Sequence, residues 1–359
     1  MPATIHVLRQ IDVGDSIELE RLSGTLETRE LTRGSTEMRG PDRSAPGVVL
    51  RREPLDLKLG RAEVGSFVTD VRARIFDFGV IALRFSFTVA DPSSAALIDL
   101  SSRLARESGT FDAKARTLWQ GLSAQIRGGV LPWEEPGATE LMEDFTVFVL
   151  PPISTTEAGW DRTFTHMLTG EPAIRKLAPS MVQEIARRTI RYYDDDLVIV
   201  DYDAAIIVDK EEATDLVDIF EIASSQLLEL RFYHAMLGRA LESLLSDMRR
   251  ARTGGWFFRN PFRRLARRAA ILALELSELT DRLERTITLV GDTYSTQIYR
   301  ETAVRFRLPD AGTSVREKVE MIARVSEVLG HEIYARRDLV LEILVIVLIA
   351  IEVAIAFRP

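Results

Sequence analysis

Eight arginines stand between positions 249 and 268 (Arg249, Arg250, Arg252, Arg259, Arg263, Arg264, Arg267 and Arg268), with no acid among them and with Trp256, Phe257, Phe258 and Phe262 interleaved. In a chain of formal net charge −8 this is a local reversal of sign. Arginine beside aromatic rings suits anionic headgroups, where rings settle at the interface, or RNA, where rings stack on bases and guanidinium pairs with phosphate. A solvated hairpin tip whose rings pack inward is the third reading. A membrane-surface or other anionic partner is the expected contact, and nucleic acid is not.

Other residues capable of chemistry are less well arranged. Tyr192–Asp203 gathers Asp194, Asp195, Asp196, Asp201 and Asp203, but without the glycine and closing glutamate of an EF-hand, so these read as turn aspartates flanking strands. His6, His166, His234 and His331 are far apart and lack HExxH spacing, and the absence of cysteine excludes thiolate zinc sites, disulfides and cysteine nucleophiles. There is no phosphate loop, nucleophile elbow or dinucleotide fingerprint. No catalytic residue, metal or cofactor is therefore expected, and the chain reads as a non-enzyme.

The elements that must position these residues fall into three parts. With 46% apolar residues in 359, the chain can bury a substantial core. Residues 1–209 alternate β-rich and helical stretches and predict an α+β domain, with an exposed loop at 24–47. Val71–Ala90 reads as strand and ends at Asp91-Pro92, a helix-start signal. Helices are predicted over Ser93–Arg106 and Phe111–Ile126, and further strands at Phe145–Leu150 and within Leu197–Val208.

Residues 210–338 predict a three-helix coiled-coil stalk with the basic and aromatic segment 249–268 at its tip. Asp209 and Glu212 have capping-box spacing. A seam then runs through Leu216, Phe220, Ala223, Leu227, Leu230, His234, Leu237, Leu241, Leu244 and Met248, with His234 as a polar register residue. A second seam, Leu272, Leu276, Leu279, Leu283, Ile287, Val290, Tyr294 and Ile298, predicts one long helix that Pro309 ends. The third helix is predicted to start at Ser314, with Glu317 completing a capping box, and to carry Val315, Val319, Ile322, Val325, Leu329 and Ile333.

From Leu339 to Phe357 the sequence is apolar apart from Glu342 and Glu352. Nineteen residues of helix rise roughly 28 Å, about the thickness of a bilayer's hydrocarbon core, which predicts a single C-terminal transmembrane helix over 339–357. Arg336 and Arg337 before it, with no signal-like run at the N-terminus, predict a tail-anchored protein of the cell (inner) membrane with its N-terminal bulk in the cytoplasm. A carboxyl inside such a span is a candidate association site, so Glu352 is expected to join helices, with Glu342 closer to the interface.

ARIFDFGVIALRF in the N-terminal domain, LLELRFY in the first long helix and LEILVIVLIAIEVAIA at the end resemble the "required for meiotic nuclear division" family of bacteria and mitochondria. That resemblance implies a non-enzymatic, membrane-associated protein, its mitochondrial members resembling factors that hold the translation machinery at the inner membrane. The combined expectation is a self-associating scaffold or tether. Its partners would be the lipid bilayer, further copies of the chain and a protein bound by the N-terminal domain.

Overall fold

The computed structural model describes residues 2–25, 31–39, 46–131, 141–152, 159–210, 213–253, 262–291 and 293–356. The chain divides into two compact units. The first is Met1–Phe232 with Arg282–Ala311, and the second is Tyr233–Asp281 with Gly312–Pro359.

The elements begin with β1 (Ala3–Asp12), β2 (Ser16–Ile17), α1 (Leu19–Thr25), β3 (Leu31–Arg33), β4 (Glu37–Arg39) and β5 (Pro46–Leu50). Then come β6 (Leu55–Val64), β7 (Phe67–Ile75), β8 (Val80–Val89), α2 (Ser94–Ile126), β9 (Val130–Leu131) and β10 (Met142–Leu150). They are followed by α3 (Trp160–Thr169), α4 (Pro179–Ala186), β11 (Leu197–Val200) and β12 (Ala204–Val208). The remainder is α5 (Thr214–Thr253), α6 (Phe262–Glu284), β13 (Ile287–Leu289), α7 (Tyr294–Arg305) and α8 (Leu308–Ala356).

The first unit is α+β. Its main sheet has the order β11-β12-β10-β1-β8-β7-β6-β3, antiparallel throughout except for the parallel pair β10 and β12. Successive side chains of a strand alternate faces. Ala3, Ile5 and Val7 of β1 join a core with Leu97, Leu104 and Phe111 of α2 and Phe164 of α3. On the opposite face, Gln10 of β1 bonds Ser224 of α5, and Phe145 of β10 packs on Phe220 of α5 and Phe306. From Leu216 to Leu230 every residue of α5 is buried. A helix enclosed on all sides is a core helix rather than one strand of a surface coiled coil.

Several sequence expectations change here. The run Val71–Ala90 is part of a hairpin, turning at Phe76–Gly79, where Gly79 has φ +98° and a Cβ would lie 1.7 Å from the Gly14 carbonyl oxygen. The two predicted helices are one, α2, because the buried stripe Leu97, Leu100, Leu104, Phe111, Ala115, Trp119, Leu122 and Ile126 stays in phase across Gly109. Within the expected loop 24–47 lie the end of α1, β3, β4 with the turn between them, and the start of β5, residues 26–30 and 40–45 being outside the described residues. Glu212 is outside them too, and α5 begins at Thr214.

The long second helix does not run to Pro309. It ends at Glu284, and Ile287–Leu289 pairs with β5 through Ile287↔Leu50 and Leu289↔Val48. Thr286–Val290 is rich in β-branched residues, Gly291 takes φ +68°, and Thr293 caps α7, so strand, break and new helix follow in turn. Arg307, at φ 56°, separates α7 from α8. Pro309 therefore stands in the first turn of a helix, where its missing N–H costs nothing, and α8 starts six residues before Ser314.

The second unit contains Tyr233–Thr253 of α5, most of α6, and α8 from Gly312. Each contributes fully buried residues seven apart: Leu237 and Leu244; Phe262, Ala269 and Leu276; Val315, Ile322 and Leu329. Seven-residue spacing is the signature of helices packed along a common seam. Lys318 Nζ donates to His234 Nε2 and to the His234 carbonyl, both at 2.9 Å, and Ser326 Oγ donates to the Ala266 carbonyl at 3.0 Å.

The predicted transmembrane helix at 339–357 does not hold. Among the described residues no helix is long and apolar enough to cross a membrane. Within α8, Glu342 and Glu352 bracket an uninterrupted apolar run of only nine residues, Ile343–Ile351. The expected tail-anchored membrane arrangement is thus overturned.

Candidate functional site

The most concentrated charge in the first unit is hidden between the sheet and α5. Asp56 on β6, Arg74 on β7 and Arg84 on β8 face α5, which answers with Asp218 and Glu221, one turn apart. Arg74 grips Asp56 bidentately, Nε to Oδ1 at 2.7 Å and Nη2 to Oδ2 at 2.9 Å, and its Nη1 lies 2.8 Å from Asp218 Oδ2. Arg84 donates from Nε to Glu221 Oε2 at 2.6 Å, and its Nη2 reaches both Glu221 and Asp218.

With every group ionised, three carboxylates face two guanidiniums. Burial pushes the Asp218 carboxyl up, but Arg84 and Arg74 more than reverse this and hold it below the usual carboxylate range. Burial dominates at Glu221, whose carboxyl sits above that range despite the same two cations. Burial also acts against Arg74 and Arg84, and the facing carboxylates, Glu221 first, raise both guanidiniums. Beside them His6 Nδ1 lies 2.9 Å from Ser86 Oγ, and burial followed by Arg84 pushes its imidazole down to about 3. With Arg84, Asp218 and Glu221 at most 8% exposed, no substrate reaches this cluster. Its chemistry is to fix the rotation and height of α5 on the sheet.

The residues singled out in the sequence lie on the second unit. Arg249, Arg250, Arg263, Arg264, Arg267 and Arg268 are exposed, and Arg268 pairs with Asp247 at 3.4 Å. Phe262 is buried among the heptad-spaced residues and so does not share the surface of its basic neighbours. Trp256, Phe257, Phe258 and Arg259 lie outside the described residues, as does the side chain of Arg252. Ser326 beside Ala266 and Asp247 beside Arg268 show that the arginine-bearing ends of α5 and α6 lie level with the middle of α8.

Beyond that level α8 continues. From Ile343 to Val353 nine large aliphatic residues are each 42–58% exposed, and Glu342 and Glu352 are exposed beside them. The aspartates of 194–203 are dispersed. Asp195 pairs with Lys210, Asp196 Oδ1 accepts from the backbone of Tyr192 and Tyr193 at 2.8 and 3.0 Å, and Asp201 holds Arg305 and Arg188. Among the described residues no group of three or more carboxylates and histidines is placed to hold a metal ion.

Sequence reasoning missed the buried ion cluster, although its signal was present. Arg74 and Arg84 interrupt apolar strands, and Asp218 and Glu221 fall three apart in an otherwise apolar helix face.

A family model described as "Uncharacterized protein MJ0711, N-terminal domain" matches residues 2–214. A relative from Methanocaldococcus jannaschii, "Uncharacterized protein MJ0711", is 27% identical over 176 residues, covering 49% of this chain and 53% of that protein. The chain thus spans about half the length of the curated relative it matches. No solved structure matches. Nothing in these comparisons points to the meiotic nuclear division family. The stretches behind that resemblance are short apolar strand and helix segments, a composition that many unrelated elements share.

Proposed function

Starting from a chain that belongs to the family of the uncharacterized MJ0711 N-terminal domain, whose description assigns no activity, we propose a non-enzymatic scaffold that self-associates through the apolar end of α8. The uncovered aliphatic band Ile343–Val353 carries the reading. At about half exposure each, these nine side chains offer on the order of 800 Å² per chain, as much as one partner buries in a standard interface. At about 25 cal/mol per Å² the transfer term is roughly 20 kcal/mol, from which association subtracts about 4–15 kcal/mol or more of lost rigid-body freedom as well as side-chain ordering, so only the surplus holds copies together.

The occupant is the same segment of further copies. The seven-residue series Val315, Ile322, Leu329 resumes at Ile343, so the band continues a pattern by which α8 already packs on helices. Because the band is exposed around the whole helix, one neighbour leaves part of it wet, and three or more copies close it. In the same reading the exposed arginines flank the assembly and repel one another, so salt strengthens association.

Sedimentation of the full chain, compared with the Ile346→Asp, Ile349→Asp double variant, tests this. A wild-type trimer or larger species that becomes monomeric in the variant supports it. A monomeric wild type, or an oligomer unchanged by the two aspartates, overturns it.

A further inference from the structure

The first unit also contains a cavity of about 240 Å³ between α2, the end of α3 and the strands β1, β10 and β12. Its apolar wall includes Leu104, Phe148 and Met167, and its polar wall includes Arg9, Asp144 and Asp203. The guanidinium and most of the hydroxyl donors on this wall are already used. Arg9 donates to Asp112 at 2.6 Å, to the Leu8 carbonyl at 2.9 Å and to Ser108 Oγ at 2.7 Å. Ser101 donates to the Met167 carbonyl at 2.6 Å, and Thr169 to the Thr165 carbonyl at 2.8 Å.

The acceptors are not matched in this way. Asp144 forms only a long ion pair with Arg9, at 4.0 Å and beyond hydrogen-bond range, while Arg9 is already held by Asp112, and Thr146 N–H reaches the Asp203 carbonyl at 2.9 Å, which brings Asp203 beside the strand that carries Asp144. Burial, then Asp144, then Asp201 raise the Asp203 carboxyl, so the two side chains feel each other. Arg231, the remaining cation acting there, is engaged by Glu143. The C-terminus of α3, the negative end of its dipole, borders the same space.

We propose that this cavity binds a small organic cation, an alkylammonium whose head lies between Asp144 and Asp203 and whose carbon chain lies against Leu104, Phe148 and Met167. A cavity with apolar walls, spent donors and a paired negative mouth selects a ligand that donates hydrogen bonds and carries positive charge. An acid or a neutral alcohol of the same size gains only the apolar contact.

The test is titration of the full chain with n-butylammonium, n-butyrate and n-butanol, read by calorimetry and by the Met167 methyl resonance, assigned with Met167→Leu. The expected result is binding of butylammonium alone at millimolar concentration, a Met167 shift that saturates with the heat, and about a tenfold or greater loss of affinity in Asp144→Asn and in Asp203→Asn. Both aspartates are exposed at the cavity mouth, so the variants retain the fold, which far-UV circular dichroism verifies. Absence of butylammonium binding, equal binding of butyrate, or unchanged affinity in the Asp144→Asn, Asp203→Asn double variant overturns the proposal. None of these outcomes depends on whether the chain self-associates.

Discussion

Replacing either α5 carboxylate of the buried cluster removes one negative charge, yet the two changes have unequal consequences. Asp218 is held ionised and touches both Arg74 and Arg84, so Asp218→Asn strips a charge-assisted partner from each guanidinium at once. Breaking a buried pair in this way costs about 3–5 kcal/mol. Glu221 is the member whose ionisation burial opposes most, and Glu221→Gln keeps an acceptor oxygen for Arg84 while removing a charge the site disfavours. That change costs about 1 kcal/mol or less.

The pH dependence separates them further. A carboxyl raised in the fold stabilises fully below its unfolded range and loses that contribution as pH rises through its folded pKa. A depressed one contributes above the unfolded value and loses it as pH falls through its folded pKa. Glu221→Gln therefore removes a decline on the alkaline side of the carboxylate range, and Asp218→Asn removes one on the acid side. Urea unfolding of both variants between about pH 2 and 8, which reaches both sides of the carboxylate range, is the assay. Equal losses at neutral pH, or a larger loss for Glu221→Gln, would refute the reading that burial raises Glu221 while the two arginines lower Asp218.

Three further outcomes are expected. With a folded pKa of about 3, His6 makes acidification costly, and stability falls by about 2 kcal/mol between pH 6.5 and 5; His6→Gln flattens that slope in urea titrations. Gly79→Ala costs about 3 kcal/mol or more, because φ is +98° and the new Cβ meets the Gly14 carbonyl, whereas Gly109→Ala, in α2 with nothing within 4 Å, stabilises by about 0.5–1 kcal/mol. The two thermal midpoints should move in opposite directions. His234, lowered by burial and Lys318, accepts from Lys318 only when neutral, so acidification breaks this tie, and His234→Gln makes the second unit's helix content insensitive to mild acid by circular dichroism.

How much of this was legible depends on which pattern carried it. Heptad spacing foretold that Val315, Ile322 and Leu329 share a buried face, because one buried stripe imposes its period on the sequence, and short β-branched and aromatic runs marked Phe145–Leu150 and the pair within Leu197–Val208 as strands, the latter two buried throughout. Periodicity is blind to interruptions that stay in phase. Ile287, Tyr294 and Ile298 continued the spacing of Leu276, yet they lie on a strand and a new helix, and the better guides were the β-branched Thr286–Val290 and Gly291. The reverse error occurred at Gly109, where a residue of poor helix propensity was overruled by burial on both sides. The apolar end of α8 was read as a span from composition alone, with Glu342 and Glu352 underweighted. The buried cluster was invisible for another reason: a charge on a core-facing register makes sense only with its partner, and Arg84 lies well over a hundred residues from Asp218 and Glu221.

The helical excursion between Phe232 and Arg282 also dictates an order of assembly. Strand β13 and helix α7 return to β5 only after the chain has made the excursion, and Gly47 admits no side chain where β5 meets Thr293 and Ser295. A nascent chain emerging from the ribosome must consequently wait for residue 311 before its first unit can close. A fragment cut at residue 214, where the family match stops, would leave an entire sheet face, Phe145 included, bare to water.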